Sequence, residues 1–124
     1  MGICQGALDC SSRYARERQQ FGQPIADFDM VRRLLGDAAR RAASARLMTY
    51  DAAARMDRGI PVQGQLLHAL TWSRESAMLC ADNAVQVFGG YGYTKDYPAE
   101  MFFRDAKFLE TMPPCVSEAR CAPV

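Results

Sequence analysis

The chain has a single histidine, His68, in 124 residues. That scarcity excludes a histidine-based metal cluster and a Ser-His-Asp triad assembled within the chain. Its five cysteines, Cys4, Cys10, Cys80, Cys115 and Cys121, form no CxxC pair and are odd in number. Neither a disulfide framework nor a zinc site is favoured by that pattern. Cys4, Cys10 and Cys80 read instead as small core or helix-surface residues. Charge of one sign is also lacking: the formal net charge is +1, so no overall field steers the chain toward nucleic acid or an anionic membrane. No apolar run approaches the length of a bilayer span. No charged-then-apolar leader opens the chain, because Gly2-Ile3-Cys4-Gln5-Gly6 soon meets Asp9 and Arg13. The expected location is the cytoplasm, or a mitochondrial or other organelle matrix. Finally, runs of alternating β-branched residues bounded by turns are absent, so strands are not expected.

Helical periodicity is what remains, in a chain that is 49% hydrophobic and 23% charged and long enough for one domain around one core. A first segment runs from about Gly2 to Gln20, with Ile3, Ala7, Tyr14 and Ala15 near one face. Its end is crowded with Arg13, Arg16 and Arg18, which suit the negative end of a helix dipole. Phe21-Gly22-Gln23-Pro24 breaks it. A second segment spans about Phe28 to Arg58, with Asp27 as N-cap. Val31, Leu34, Leu35, Ala38, Ala42, Ala45, Met48, Ala52 and Met56 make its apolar stripe. Gly59-Ile60-Pro61 ends it. A third segment, about Val62 to Phe88, carries Leu66, Leu70, Ala77, Ala81, Ala84, Val85 and Phe88 on its stripe. A shorter helix starts near Pro98, a favourable first-turn residue, and runs toward Phe108. Long helices joined by short breaks define an all-α, up-down antiparallel bundle. We place the domain at residues 1–110. Residues 111–124, with three prolines from Met112 onward, read as an irregular tail.

Two stretches interrupt the helices in a way that bears on chemistry. Arg13-Tyr14-Ala15-Arg16-Glu17-Arg18-Gln19-Gln20-Phe21-Gly22 joins arginines, an aromatic and a helix-ending glycine. The planar guanidinium fork suits phosphate, but alone the stretch also reads as a solvated helix end. Gln86-Val87-Phe88-Gly89-Gly90-Tyr91-Gly92-Tyr93 places three glycines in four positions. Glycine loses more backbone entropy on folding than any other residue, so this stretch serves either a tight reversal or a backbone that must approach a ligand. It is not the dinucleotide fingerprint, which needs a strand before it and a helix after it, nor a P-loop, which ends Gly-Lys-Ser/Thr.

Taken together, Glu17-Arg18-Gln19-Gln20-Phe21-Gly22-Gln23-Pro24-Ile25, Gln86 to Tyr93, Tyr97-Pro98-Ala99-Glu100 and Arg104-Asp105-Ala106-Lys107 form an ordered series. The series resembles the C-terminal helical domain of the acyl-CoA dehydrogenase family over about residues 1 to 110. The resemblance implies a flavoprotein that oxidises an acyl-CoA thioester to the 2,3-enoyl-CoA with FAD as hydride acceptor. Electrons then pass to an electron-transferring flavoprotein, and the bundle forms a homo-oligomer interface of a dimer or tetramer. By position, Arg18 matches the family arginine on the FAD pyrophosphate, and Phe21 the aromatic beside the cofactor. Gln86, Val87, Phe88, Gly89 and Gly90 match the segment along the adenosine and pyrophosphate. Arg104 and Asp105 match a structural motif, read as an ion pair holding the last helices together.

The departures are equally specific. Where the family carries a cofactor-side Gln, this chain has Asp29. Where many members carry the catalytic Glu-Gly-Thr, it has Pro113-Pro114-Cys115, and proline accepts no proton. Glu110 lies too early and Glu118 lies in a stretch without the family pattern. No catalytic residue is therefore assigned, and no metal ligand. The acyl-CoA would contact parts of the enzyme outside these residues, and the chain alone is expected to be inactive. The alternative is a helical oligomerisation module that no longer binds flavin.

Overall fold

In the computed structural model the described residues are 1–112. They form four helices: α1 (Gly2–Glu17), α2 (Asp29–Asp57), α3 (Gln63–Phe88) and α4 (Ala99–Thr111). Helix α3 is the central element and packs against the other three. This is the all-α bundle expected from the periodicity. None of these helices is long and apolar enough to cross a membrane.

The core is built from small side chains. Cys4, Ala7 and Cys10 of α1, Ala38 and Ala42 of α2, Ala77, Cys80, Ala81, Ala84 and Phe88 of α3, and Ala99 and Ala106 of α4 form one buried cluster. Alanine at these positions lets the helix axes come close, so backbone proximity replaces large interdigitating side chains. The stripe assignments hold at Ala38, Ala42, Ala45 and Ala52. They fail at Met56 and Leu66, which are exposed and line an open apolar groove with Ala53 and Leu70.

Local chemistry sets the helix ends. Helix α2 closes through paired bonds, Gly59 N–H to the Met56 carbonyl and Ile60 N–H to the Arg55 carbonyl, both at 3.0 Å. Gly59 takes the positive φ of 69° that this closure demands. Asp27 is not the N-cap of α2. It ends a 3-10 turn, Ile25–Asp27, and Phe28 occupies the cap without a side-chain bond, while the Asp27 carboxylate pairs with Arg32 at 3.3 Å. Nor do Arg104 and Asp105 pair with each other. Arg104 reaches Glu100 one turn earlier at 3.6 Å, since adjacent helical residues point to different sides. Helix α4 includes Thr111, one residue past the expected domain end. The remainder of the expected tail, 113–124, lies outside the described residues.

A polar network crosses from α2 to α3. The Asp37 carboxylate accepts from Arg40, from Arg41 Nε at 2.8 Å and from Asn83 Nδ2 at 3.4 Å. Arg41 in turn lies over the Trp72 ring at 5.7 Å, and Trp72 Nε1 donates to Ser44 Oγ at 2.8 Å. The Arg41 and Arg40 guanidiniums hold the Asp37 carboxyl below its ordinary value of 3.8. A carboxyl lowered by folding contributes stability that is complete above the ordinary value and disappears as pH falls through the native one. Asp37→Asn is therefore expected to lower stability at pH 7 by about 0.5–1 kcal/mol. The gap from the unsubstituted chain should close as pH drops below 3.8, which denaturant titrations at the two pH values will measure.

Candidate cofactor-contacting site

The site is built where α1 and α3 end side by side. Arg18 caps α1: its N–H donates to the Tyr14 carbonyl at 2.8 Å, and its extended backbone leads the chain away. The Arg18 carbonyl accepts from Ile25 N–H, also at 2.8 Å. Between those anchors, Gln19–Gln20 and Gln23–Pro24 pair antiparallel. Two-residue strands leave no periodic signal, which is why the sequence showed only a helix break. Phe21 and Gly22 make the turn with φ of 53° and 82°, the paired positive values of a type I′ hairpin. Glycine adopts this readily; a bulky residue does so at a cost of roughly 1–2 kcal/mol. Phe21 is also 93% exposed, its ring edge-on to Phe28 at 6.2 Å. A large apolar ring held in solvent on strained backbone points to a ligand or a partner.

The second half comes from the end of α3. Gln86 is exposed, whereas Val87 and Phe88 are buried. Any cofactor contact from Val87 or Phe88 is thus a backbone contact. The three glycines divide the two roles left open by the sequence. Gly89, at φ 60°, turns its N–H back onto the Val85 and Gln86 carbonyls and ends the helix. Gly92 is a packing glycine: a Cβ there would lie 2.7 Å from the Val85 carbonyl oxygen. Gly90 faces open space, as does the outer side of Gly89, where an added Cβ meets nothing within 4 Å. The loop is both a reversal and an uncovered backbone surface.

Aromatic packing holds the halves together. Tyr14 of α1 stacks on Phe88 of α3 at 4.2 Å and 24°. Tyr97 closes the layer, 5.2 Å from Phe88, 5.7 Å from Tyr14 and 5.6 Å from Tyr91. Burial pushes the Tyr14 phenol up despite the nearby Arg18 charge. Arg18 then sits over the face of Tyr91, its guanidinium carbon 5.6 Å from the ring centroid. The carboxyl end of α3 carries partial negative charge, and Arg18 is the cation placed against it. Tyr91 and Tyr97 belong to these motifs, but only the fold brings them together with Tyr14. Asp29 opens α2 with a solvent-exposed carboxylate, 3.7 Å from Arg32. Pro113, the position expected for a catalytic carboxylate, is outside the described residues.

An all-α bundle whose first and third helices end in an arginine hairpin and a glycine loop is a recognisable class of domain. Residues 1–113 match the family described as acyl-CoA dehydrogenase, C-terminal domain, and the chain belongs to that family. It is 46% identical over 111 residues to a Mycobacterium tuberculosis protein named probable acyl-CoA dehydrogenase FadE25, covering 89% of this chain and 28% of the relative. It is 39% identical over 110 residues to the cyclohexane-1-carbonyl-CoA dehydrogenase of Geobacter metallireducens, covering 89% and 29%. Among solved structures, butyryl-CoA dehydrogenase from Megasphaera elsdenii superposes with a TM-score of 0.86 at 35% identity, over 88% of this chain and 28% of that one. The chain thus spans under a third of the length of the relatives it matches.

Proposed function

We propose that the chain supplies the carboxyl-terminal part of an FAD-dependent acyl-CoA dehydrogenase and contacts the ADP half of the cofactor. The observation that carries this reading is the meeting of Arg18 with the glycine loop at Tyr91, 5.6 Å apart, while Phe21 stands exposed in the hairpin that follows Arg18. The residues suit the group. A guanidinium can grip a pyrophosphate through two oxygens, the bare backbone at Gly89 and Gly90 admits close approach, and Gln86 offers an exposed amide. Bound FAD would supply the hydride acceptor for oxidation of an acyl-CoA thioester.

This chain's share of that activity is binding and assembly. Arg18, Phe21, Gln86, Gly89 and Gly90 hold the cofactor with the Val87 and Phe88 backbone, and α2 and α3 meet a second copy in a dimer or tetramer. The acyl-CoA binds elsewhere in the enzyme, and an electron-transferring flavoprotein takes the electrons. The setting is the cytoplasm. Because residue 113 is proline, these residues place no base for α-proton removal, and the chain alone reduces no dye with any acyl-CoA.

Flavin fluorescence and thermal stability of the purified chain, titrated with FAD, test this. Arg18→Ala removes a charge-assisted bond of about 1.5–3 kcal/mol, so FAD affinity should fall roughly 10- to 100-fold. No response to FAD in the unsubstituted chain at high concentration overturns cofactor binding by this chain. It would favour the second reading, a helical assembly module, for which the observation is Leu47 and Tyr50, 70% and 58% exposed on α2.

A further inference from the structure

Arg18 is held in a different way from Arg32, Arg40, Arg41, Arg55 and Arg104. Each of those five pairs with a carboxylate on its own helix or in the turn before it. Among the described residues no carboxylate comes within ion-pair distance of Arg18, and its neighbour Glu17 stays exposed. What meets the Arg18 guanidinium is the face of Tyr91, 5.6 Å from ring centroid to guanidinium carbon. The difference matters for charge. A carboxylate occupies guanidinium N–H groups and cancels the positive charge. An aromatic face attracts the cation through its quadrupole and uses up neither the charge nor the donors.

The Tyr91 ring suits this task because its own position is fixed. The Tyr91 carbonyl accepts from Thr94 N–H at 3.1 Å and from Thr94 Oγ1 at 2.9 Å. The next residue, Gly92, lies tight against the Val85 backbone. The Tyr97 ring meets the Tyr91 ring at 5.6 Å and 60°, and Tyr97 is itself packed on Phe88 and Tyr14. The ring that faces Arg18 is therefore braced from behind by the aromatic layer. An arginine side chain has several rotatable bonds, and immobilising it costs binding free energy. That cost is smaller when a neighbour already restricts the side chain.

We propose that Tyr91 is a positioning residue, whose ring restrains the Arg18 guanidinium for a pyrophosphate while leaving its charge uncompensated. The inference rests on the reading of Arg18 as the phosphate contact. Tyr91 acts through Arg18 and requires no contact of its own with the cofactor. Its hydroxyl plays no part in the restraint, so phenylalanine serves equally well at this position.

The test titrates the purified 124-residue chain with FAD and follows flavin fluorescence. Tyr91→Leu should weaken FAD binding about two- to fivefold, the range of a cation–π contact at a partly exposed site. Tyr91→Phe should bind as the unsubstituted chain does. In an Arg18→Ala chain there is no guanidinium to restrain, so adding Tyr91→Leu should cost nothing more. Tyr91→pentafluorophenylalanine keeps the ring's shape and removes the negative face, and should weaken binding as leucine does; it also serves if the leucine variant does not fold. An equal loss from Tyr91→Leu with and without Arg18 means that the ring only supports the loop, and overturns the proposal. Unchanged binding in the fluorinated variant overturns it as well. If FAD binding responds to Arg18→Ala and not to Tyr91→Leu, the cofactor reading stands and this inference alone falls. No FAD binding by the unsubstituted chain removes both.

Discussion

Phe88→Ala is expected to destabilise the chain by about 3–5 kcal/mol. The ring is buried at the last residue of α3, stacked on Tyr14 at 4.2 Å and packed against Tyr97 at 5.2 Å. Removing it opens a cavity where α1, α3 and the segment carrying Tyr97 meet. The other fully buried members of the core cluster are alanine and cysteine, too small to fill the space. Domains of this kind have only about 5–15 kcal/mol in total, so the variant should unfold at a much lower urea midpoint. Phe88→Leu keeps most of the volume and should fall between. A loss below about 1 kcal/mol for Phe88→Ala would show that the aromatic layer does not hold the bundle's end together.

Gly92→Ala is the second large effect. The added methyl would lie 2.7 Å from the Val85 carbonyl oxygen, 3.0 Å from its Cα and 3.2 Å from its carbonyl carbon. All three are backbone atoms of α3, held by the helix, so the loop must shift instead. Overpacking of that kind costs about 1–3 kcal/mol, and the shift moves Tyr91 away from Arg18. Gly90→Ala, two residues earlier, meets nothing within 4 Å and should change stability by less than about 0.5 kcal/mol. Thermal melts of the two variants therefore separate a glycine needed for packing from one whose exposed backbone is proposed to serve cofactor contact. Equal melting of both would contradict that division.

The helices were legible because their apolar residues recur every three or four positions and glycines stand where they end. Gly59 and Gly89 both take positive φ at those ends. What escaped the pattern depended on contacts across the fold. Asp27 looked like a cap, but the chain enters α2 through a 3-10 turn and Asp27 turns to Arg32 instead. Met56 and Leu66 carry the helical period yet stay exposed along an open apolar groove. Of the proposed site, Arg18, Phe21 and Gln86 to Gly90 stand out in the sequence only as an ordered set, since each alone reads as an ordinary helix end. Neither the positive φ of Phe21 nor the partnership of Arg18 with Tyr91 has a local signal. The first is imposed by a two-residue turn, and the second by how far α1 reaches along α3.

That reach makes the aromatic layer a gauge of alignment. Tyr14, Phe88 and Tyr97 arrive from different elements and interlock at one level of the bundle. Sliding α1 by a single helical turn would displace it about 5.4 Å, as far as Arg18 now stands from the Tyr91 centroid, 5.6 Å. The guanidinium would then miss the loop altogether. Helices lined with alanine are smooth, so large side chains at their contacts are what oppose such a slip. Three rings thus act as a latch that keeps the ends of α1 and α3 in step, and the cofactor grip proposed for Arg18 would report whether that latch is closed.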